Sequence, residues 1–145
     1  MKQKDFNSNI LLRVRKNARE VRMCSDYKFF RIGAVFFNNK KILVSAANVN
    51  KTNPLQGEYN KYRSFDPRYA RGCMHAEINA LVKLKRLYPN INPEDIAIMV
   101  YRETQDGKYA MAKPCPACEK ALRDFGIRHV YYSGKESLCY EHYED

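Results

Sequence analysis

Apolar residues recur at Ile10, Val14, Ala18 and Val21, with Arg15, Arg19 and Arg22 on the opposite side. That spacing predicts an amphipathic helix within residues 6–24. Two β-rich apolar runs follow, KFFRIGAVFF and KILVSAANV, separated by the turn-forming NNK, and they predict a hairpin. Residues 50–72 carry turn formers and tyrosines without a clean period, so they predict a long surface loop. Ile78, Leu81, Val82 and Leu84 then mark a helix from about His75 to Tyr88, stopped by Pro89. DIAIMVYRE is a third strand, and the chain turns back at Asp106-Gly107. A helix over 115–125 ends at Gly126, IRHVYYS is a fourth strand, and ESLCYEHY a fifth.

The order is α-β-β-α-β-α-β-β. It predicts an α/β fold, a three-layer α/β/α sandwich around one mixed five-stranded sheet. Only Gly134 and Lys135 separate the last two strands, so these pair antiparallel; a parallel partner needs a crossover of a dozen or more residues. With 145 residues and no repeat, linker or low-complexity tract, the chain reads as a single domain. No apolar run approaches the roughly 20 residues of a membrane span, and no small-residue cleavage site follows the N-terminus, so neither a membrane segment nor a signal peptide is expected. Five cysteines, an odd number, argue against a disulfide framework and for a reducing, cytoplasmic setting.

The formal charge is +10, unevenly spread. Residues 1–24 hold seven Lys/Arg against two acids, 51–72 five against two, and the last twelve residues one against four. A basic field suits nucleotides or nucleic acid, and equally a merely solvated surface. Tyr59, Tyr62 and Tyr69 interleave with Lys61, Arg63, Arg68 and Arg71 in the loop. That mixture suits a strand of nucleic acid, a single nucleotide, or a loop pinned by its own tyrosines.

The chemistry concentrates at two helix starts. GCMHAEINALVKLKRLY places Cys73, His75 and Glu77 ahead of an apolar face, and KPCPACEKALRDFG places Cys115 and Cys118 three apart at the next helix. One ion can touch both sulfurs, and a helix N-terminus favours the thiolate. His75 with two cysteines is a donor set that zinc accepts with a fourth position left open. His75 and Glu77 diverge by about 200° on a regular helix, so they converge only if His75 lies at the boundary with non-helical torsions. Glu77, unligated, then suits general acid–base work on an amine-bearing base. With Cys73 as a fourth ligand the site would instead be a closed structural one; the other reading of Cys73 is a small residue packed ahead of the helix. Cys24 and Cys139 read as small packed hydrophobes, His129 as structural and His142 as solvated.

HAE at 75–77 together with PCPAC at 114–118 resembles the zinc-dependent cytidine/deoxycytidylate deaminase superfamily. The likeness covers roughly residues 28–140. It implies one Zn²⁺ per chain on His75, Cys115 and Cys118, and Glu77 as the catalytic proton carrier. Asn48, Lys51, Arg71 and Ala76 are the expected substrate contacts, Asn48 reading equally well as a turn residue. NKTNPLQGEYNKYR is similar to a loop of virus- and bacteria-encoded deoxycytidylate-type enzymes. The terminal hairpin departs from deoxycytidylate and tRNA-adenosine deaminases and matches cytidine deaminases. The resemblance thus implies a hydrolase acting on cytosine in a free nucleoside or nucleotide. A deaminase of single-stranded DNA or RNA, on cytosine or adenine, and a non-catalytic zinc module that binds nucleic acid remain as alternatives. Homo-oligomers are common in such families.

Overall fold

The computed structural model describes residues 6–27, 30–51, 53–62 and 73–144. Helix α1, Ser8–Val21, starts at Asn7, whose side chain accepts the Asn9 N–H. It buries Ile10, Val14 and Ala18, while Val21 is half-buried at its end. Strands β1, Gly33–Phe37, and β2, Ile42–Ala47, form the expected hairpin around Asn38, whose side chain accepts from Lys40 and Lys41 N–H at 2.8 Å each. The segment expected to be an irregular loop contains a helix, α2, Pro54–Tyr59. It is six residues long, too short for a period to show, but its start is conventional: Asn53 caps it and Pro54 opens it.

Helix α3, Ala76–Leu87, strand β3, Ala97–Glu103, helix α4, Pro116–Phe125, and strands β5, His129–Ser133, and β6, Leu138–His142, lie where the pattern places them. The turn at Asp106-Gly107 carries a two-residue strand, β4, Tyr109–Ala110, paired with the end of β3. The sheet order is β2-β1-β3-β5-β6, with β4 attached to β3. Among the described strands only β3 and β5 pair parallel; β5 and β6 pair antiparallel as expected.

Alternation along the central strands sorts the core into two layers. Val35, Phe37, Met99 and Tyr101 face α1, and Ala34, Phe36, Ile98 and Val100 face α3 and α4. Ile78, Leu81 and Leu84 of α3 are almost wholly buried there, each contributing about 1.5–3 kcal/mol. Gly33 lets α1 lie directly on the sheet, since a Cβ there would stand 2.1 Å from the Ala18 carbonyl oxygen. Gly126, at φ 105°, ends α4 in the left-handed region.

Two expectations for single residues are corrected. Cys24 is exposed, because the helix runs into a 3-10 turn at Arg22–Cys24 that carries it off the core. His142 is not solvated: β6 extends through it, its side chain is 15% exposed, and its Nδ1 lies 3.2 Å from Glu144 Oε1. Of the three readings open for the loop tyrosines, pinning holds for Tyr59, which donates its hydroxyl to Asp124 Oδ2 at 2.7 Å and fastens α2 to α4. No helix among the described residues is long and apolar enough to cross a membrane.

Candidate metal and catalytic site

The β3–β4 hairpin returns the chain across the carboxyl ends of β3 and β5. Ala112 N–H bonds Ser133 O at 2.8 Å, and the next residues enter α4. From the other side, Val49 and Met74 exchange two backbone hydrogen bonds, of 3.0 and 2.9 Å, which bring Asn48 and His75 alongside each other. The starts of α3 and α4 therefore meet at one end of the sheet.

His75 is the N-cap of α3, with φ −67° and ψ 153°. Those are the extended torsions needed for His75 and Glu77 to converge. Its carbonyl accepts the Asn79 N–H at 2.9 Å and its own N–H donates to Gln56 Oε1 at 2.9 Å. Cys115 caps α4 in the same extended geometry, φ −68° and ψ 166°, one turn before Cys118.

His75 Nδ1 lies 3.3 Å from Cys118 Sγ and 3.6 Å from Cys115 Sγ. The three donor atoms all fall within 4.8 Å of one another. A tetrahedral zinc with ordinary Zn–S and Zn–N bonds separates an S–N ligand pair by about 3.6 Å. The residues present thus fit one zinc ion. The thiols are prepared for it. A hydrogen bond from Cys118 lowers Cys115 to about 4, and the same pairing with burial raises Cys118 well above its usual range. A divalent cation competes with protons for such a pair. Cys73 is buried and is not one of the three donors of this group. His129 is also outside it, buried with Nδ1 2.7 Å from the Tyr140 hydroxyl.

Glu77 is 5% exposed and lines the same cavity as His75 and Cys115 without belonging to the ligand group. Burial pushes its carboxyl up to about 7 in the metal-free chain, against the opposing pull of His75. Asn48 also lines the cavity. Its side chain accepts from Ile32 N–H at 2.9 Å and donates to Phe30 O at 3.1 Å, so it fixes the wall that those residues form. Lys51 is exposed and does not line the cavity. Ala76, the first residue of α3, is buried in the core. Arg71 lies outside the described residues, as do Arg63, Arg68 and Tyr69 of the same basic loop.

Three contributors escaped the sequence. Gln56 sits on α2, whose six residues show no period. Arg102 and Lys113 line the cavity, and they arrive there through strand alternation and the β3–β4 return. Only VYRE, with Arg102 in phase with Val100, carried a signal.

Solved structures share this architecture. A dCMP deaminase from the cyanophage S-TIM5, in apo form, aligns with a TM-score of 0.61 at 24% identity, over 88% of this chain and 84% of that one. The same cyanophage enzyme in complex with dCMP and dUMP gives 0.63 at 24% identity over 88% and 83%. A cytidine deaminase from Burkholderia pseudomallei gives 0.59 at 23% identity over 90% and 91%. No curated protein matches the sequence. Residues 8–134 match the family described as the cytidine and deoxycytidylate deaminase zinc-binding region. That span takes in both helix starts and the strands between them, and the chain belongs to this family of zinc-dependent hydrolytic deaminases.

Proposed function

We propose that residues 1–145 form one deaminase domain that converts cytosine to uracil in a free nucleoside or nucleotide of the dCMP or CMP kind. The observation that carries the reading is Glu77: a buried carboxyl in the cavity beside His75 and Cys115, left out of the metal-ligand group. A structural site has no use for it.

His75, Cys115 and Cys118 would hold the ion. The chemistry it supplies when bound is Lewis acidity, which brings the pKa of water at an open position near 7. Glu77 takes the proton from the attacking water and passes it to ring N3 of the base. It then returns a proton to the departing amine, so water and cytosine become uracil and ammonia. Asn48 orients the Phe30–Ile32 wall against which the nucleoside lies.

The second reading is a deaminase of single-stranded nucleic acid. A groove lined by Tyr62, Lys113, Lys120 and Arg123 shares Lys113 with the cavity and favours it. Ammonia release from dCMP, CMP and cytidine, measured beside uracil formation in single-stranded DNA and RNA at two salt concentrations, separates the readings. Turnover of strands alone, with binding that falls by a log–log slope near about −0.7 per phosphate contacted, overturns the first and establishes the second.

A further inference from the structure

We infer that Arg102 is a specificity-determining residue that binds the 5′-phosphate of a nucleoside monophosphate and so selects nucleotides over nucleosides. The inference rests on the deaminase reading above and narrows its substrate.

Arg102 is the penultimate residue of β3. Its neighbours Tyr101 and Glu103 join through a hydrogen bond, and Glu103 pairs with Arg19 and Arg22 of the N-terminal helical segment. Arg102, in alternation, turns to the face that carries the catalytic cavity and lines it. Its backbone is fixed: the N–H donates to Ser133 Oγ at 3.0 Å, and that hydroxyl also reaches Ala110 O at 2.7 Å. Its guanidinium lies 5.0 Å from the centroid of the Phe30 ring. The Phe30 carbonyl is held in turn by Asn48 Nδ2. One face of the guanidinium is thus covered by an aromatic ring anchored to the cavity wall. Its planar edge of N–H donors is the part left to recognise an anion in a forked, two-bond geometry.

Glu77, the carboxylate of the same lining, is assigned to the proton transfer, and no ion pair joins it to Arg102. Two thiolates offset a divalent ion. Lys113, the other cation of the lining, has Glu141 Oε1 at 3.8 Å. Arg19 and Arg22 share Glu103, and Arg123 has Glu119 at 3.0 Å. Arg102 has no carboxylate partner among the described residues. A neutral nucleoside offers the guanidinium edge no anion to fork onto, whereas a monophosphate supplies up to two negative charges and three acceptor oxygens.

The test compares kcat/KM for dCMP, CMP, deoxycytidine and cytidine in zinc-loaded wild type, Arg102→Gln and Arg102→Lys, with zinc content and melting temperature measured on each. Calorimetric binding of dUMP and deoxyuridine is measured alongside. Arg102→Gln is expected to lower kcat/KM for both monophosphates by about 10- to 100-fold more than for the nucleosides, mainly through KM. Arg102→Lys is expected to recover part of the loss, since charge returns without the fork. An equal fall on nucleotides and nucleosides, or equal wild-type affinity for dUMP and deoxyuridine, overturns the phosphate assignment. If wild type turns over none of the four while dUMP binding still depends on Arg102, the deaminase reading fails and the phosphate assignment stands.

Discussion

Gln56 accepts the backbone N–H of His75 through its side-chain oxygen, at 2.9 Å and with no exposure of the glutamine to solvent. The N–H can only donate, so the amide oxygen is the atom facing it. Its amide nitrogen donates to Asn60 Oδ1 at 2.8 Å, locking the rotamer. The helix at 54–59 thus sets the position of a metal ligand nineteen residues further along the chain.

Gln56→Ala is expected to weaken zinc retention by about 10- to 100-fold, the scale found when a ligand loses its supporting hydrogen bond. A buried N–H left unpaired also costs about 1–3 kcal/mol. Gln56→Glu keeps the acceptor for His75 but loses the donor to Asn60 and buries a charge, so it recovers only part of the retention. Competition with a coloured chelator measures both; unchanged zinc affinity in Gln56→Ala removes the supporting role.

Removing zinc is expected to lower the melting temperature and abolish turnover together, because the binding energy of the ion is folding energy. Cys115→Ala reproduces both effects without chelator. Elemental analysis of protein purified without chelator should return one zinc per chain.

Glu77→Gln keeps the volume of the side chain and is expected to keep the zinc and the fold. It should lose at least about 10²-fold in kcat, the scale of a positioned acid–base group. Cys73→Ser retains one zinc per chain. Loss of zinc in Cys73→Ser with full activity in Glu77→Gln would favour a closed structural site.

Glu103 gives an acid-side stability prediction. Burial alone raises its pKa, but the Tyr101 hydroxyl at 2.7 Å and the guanidiniums of Arg22 and Arg19 outweigh it and hold the carboxyl below its usual range. A depressed folded pKa contributes stability that is present above the unfolded value, about 4.3, and is lost as pH falls through the folded one. Wild type should therefore lose stability below about pH 4 more steeply than Glu103→Gln. At pH 7 the variant should be less stable by about 1–3 kcal/mol. Urea unfolding between pH 3 and 7 decides it; parallel curves dismiss the linkage.

The sequence was legible wherever a period repeats or a motif is local. Ile10, Val14 and Ala18 revealed α1, and the alternating strands revealed both faces of the sheet. HAE and PCPAC identified the ligand set because the ligands lie at helix boundaries that the motifs themselves mark. Illegible were the features set by tertiary return. Gln56 reaches His75 only because α2 folds back over the start of α3. Lys113 reaches the cavity only because the chain after β3 doubles over the sheet. Lys51 had the right charge for a substrate contact but stands outside the cavity lining. His142 sits in an acidic stretch that reads as solvated, and pairing with β5 draws it in.

The β3–β4 hairpin has a further use. Its tip, residues 104–108, is exposed, and Gly107 turns there at φ 82°. Its base carries Arg102 opposite Ala110 and leads straight to Lys113 and Cys115. An epitope or fluorophore-binding peptide spliced between Asp106 and Gly107 would hang in solvent while the paired residues at the base hold their register. Such a splice makes the hairpin a labelling position that leaves His75, Cys115 and Cys118 unaltered.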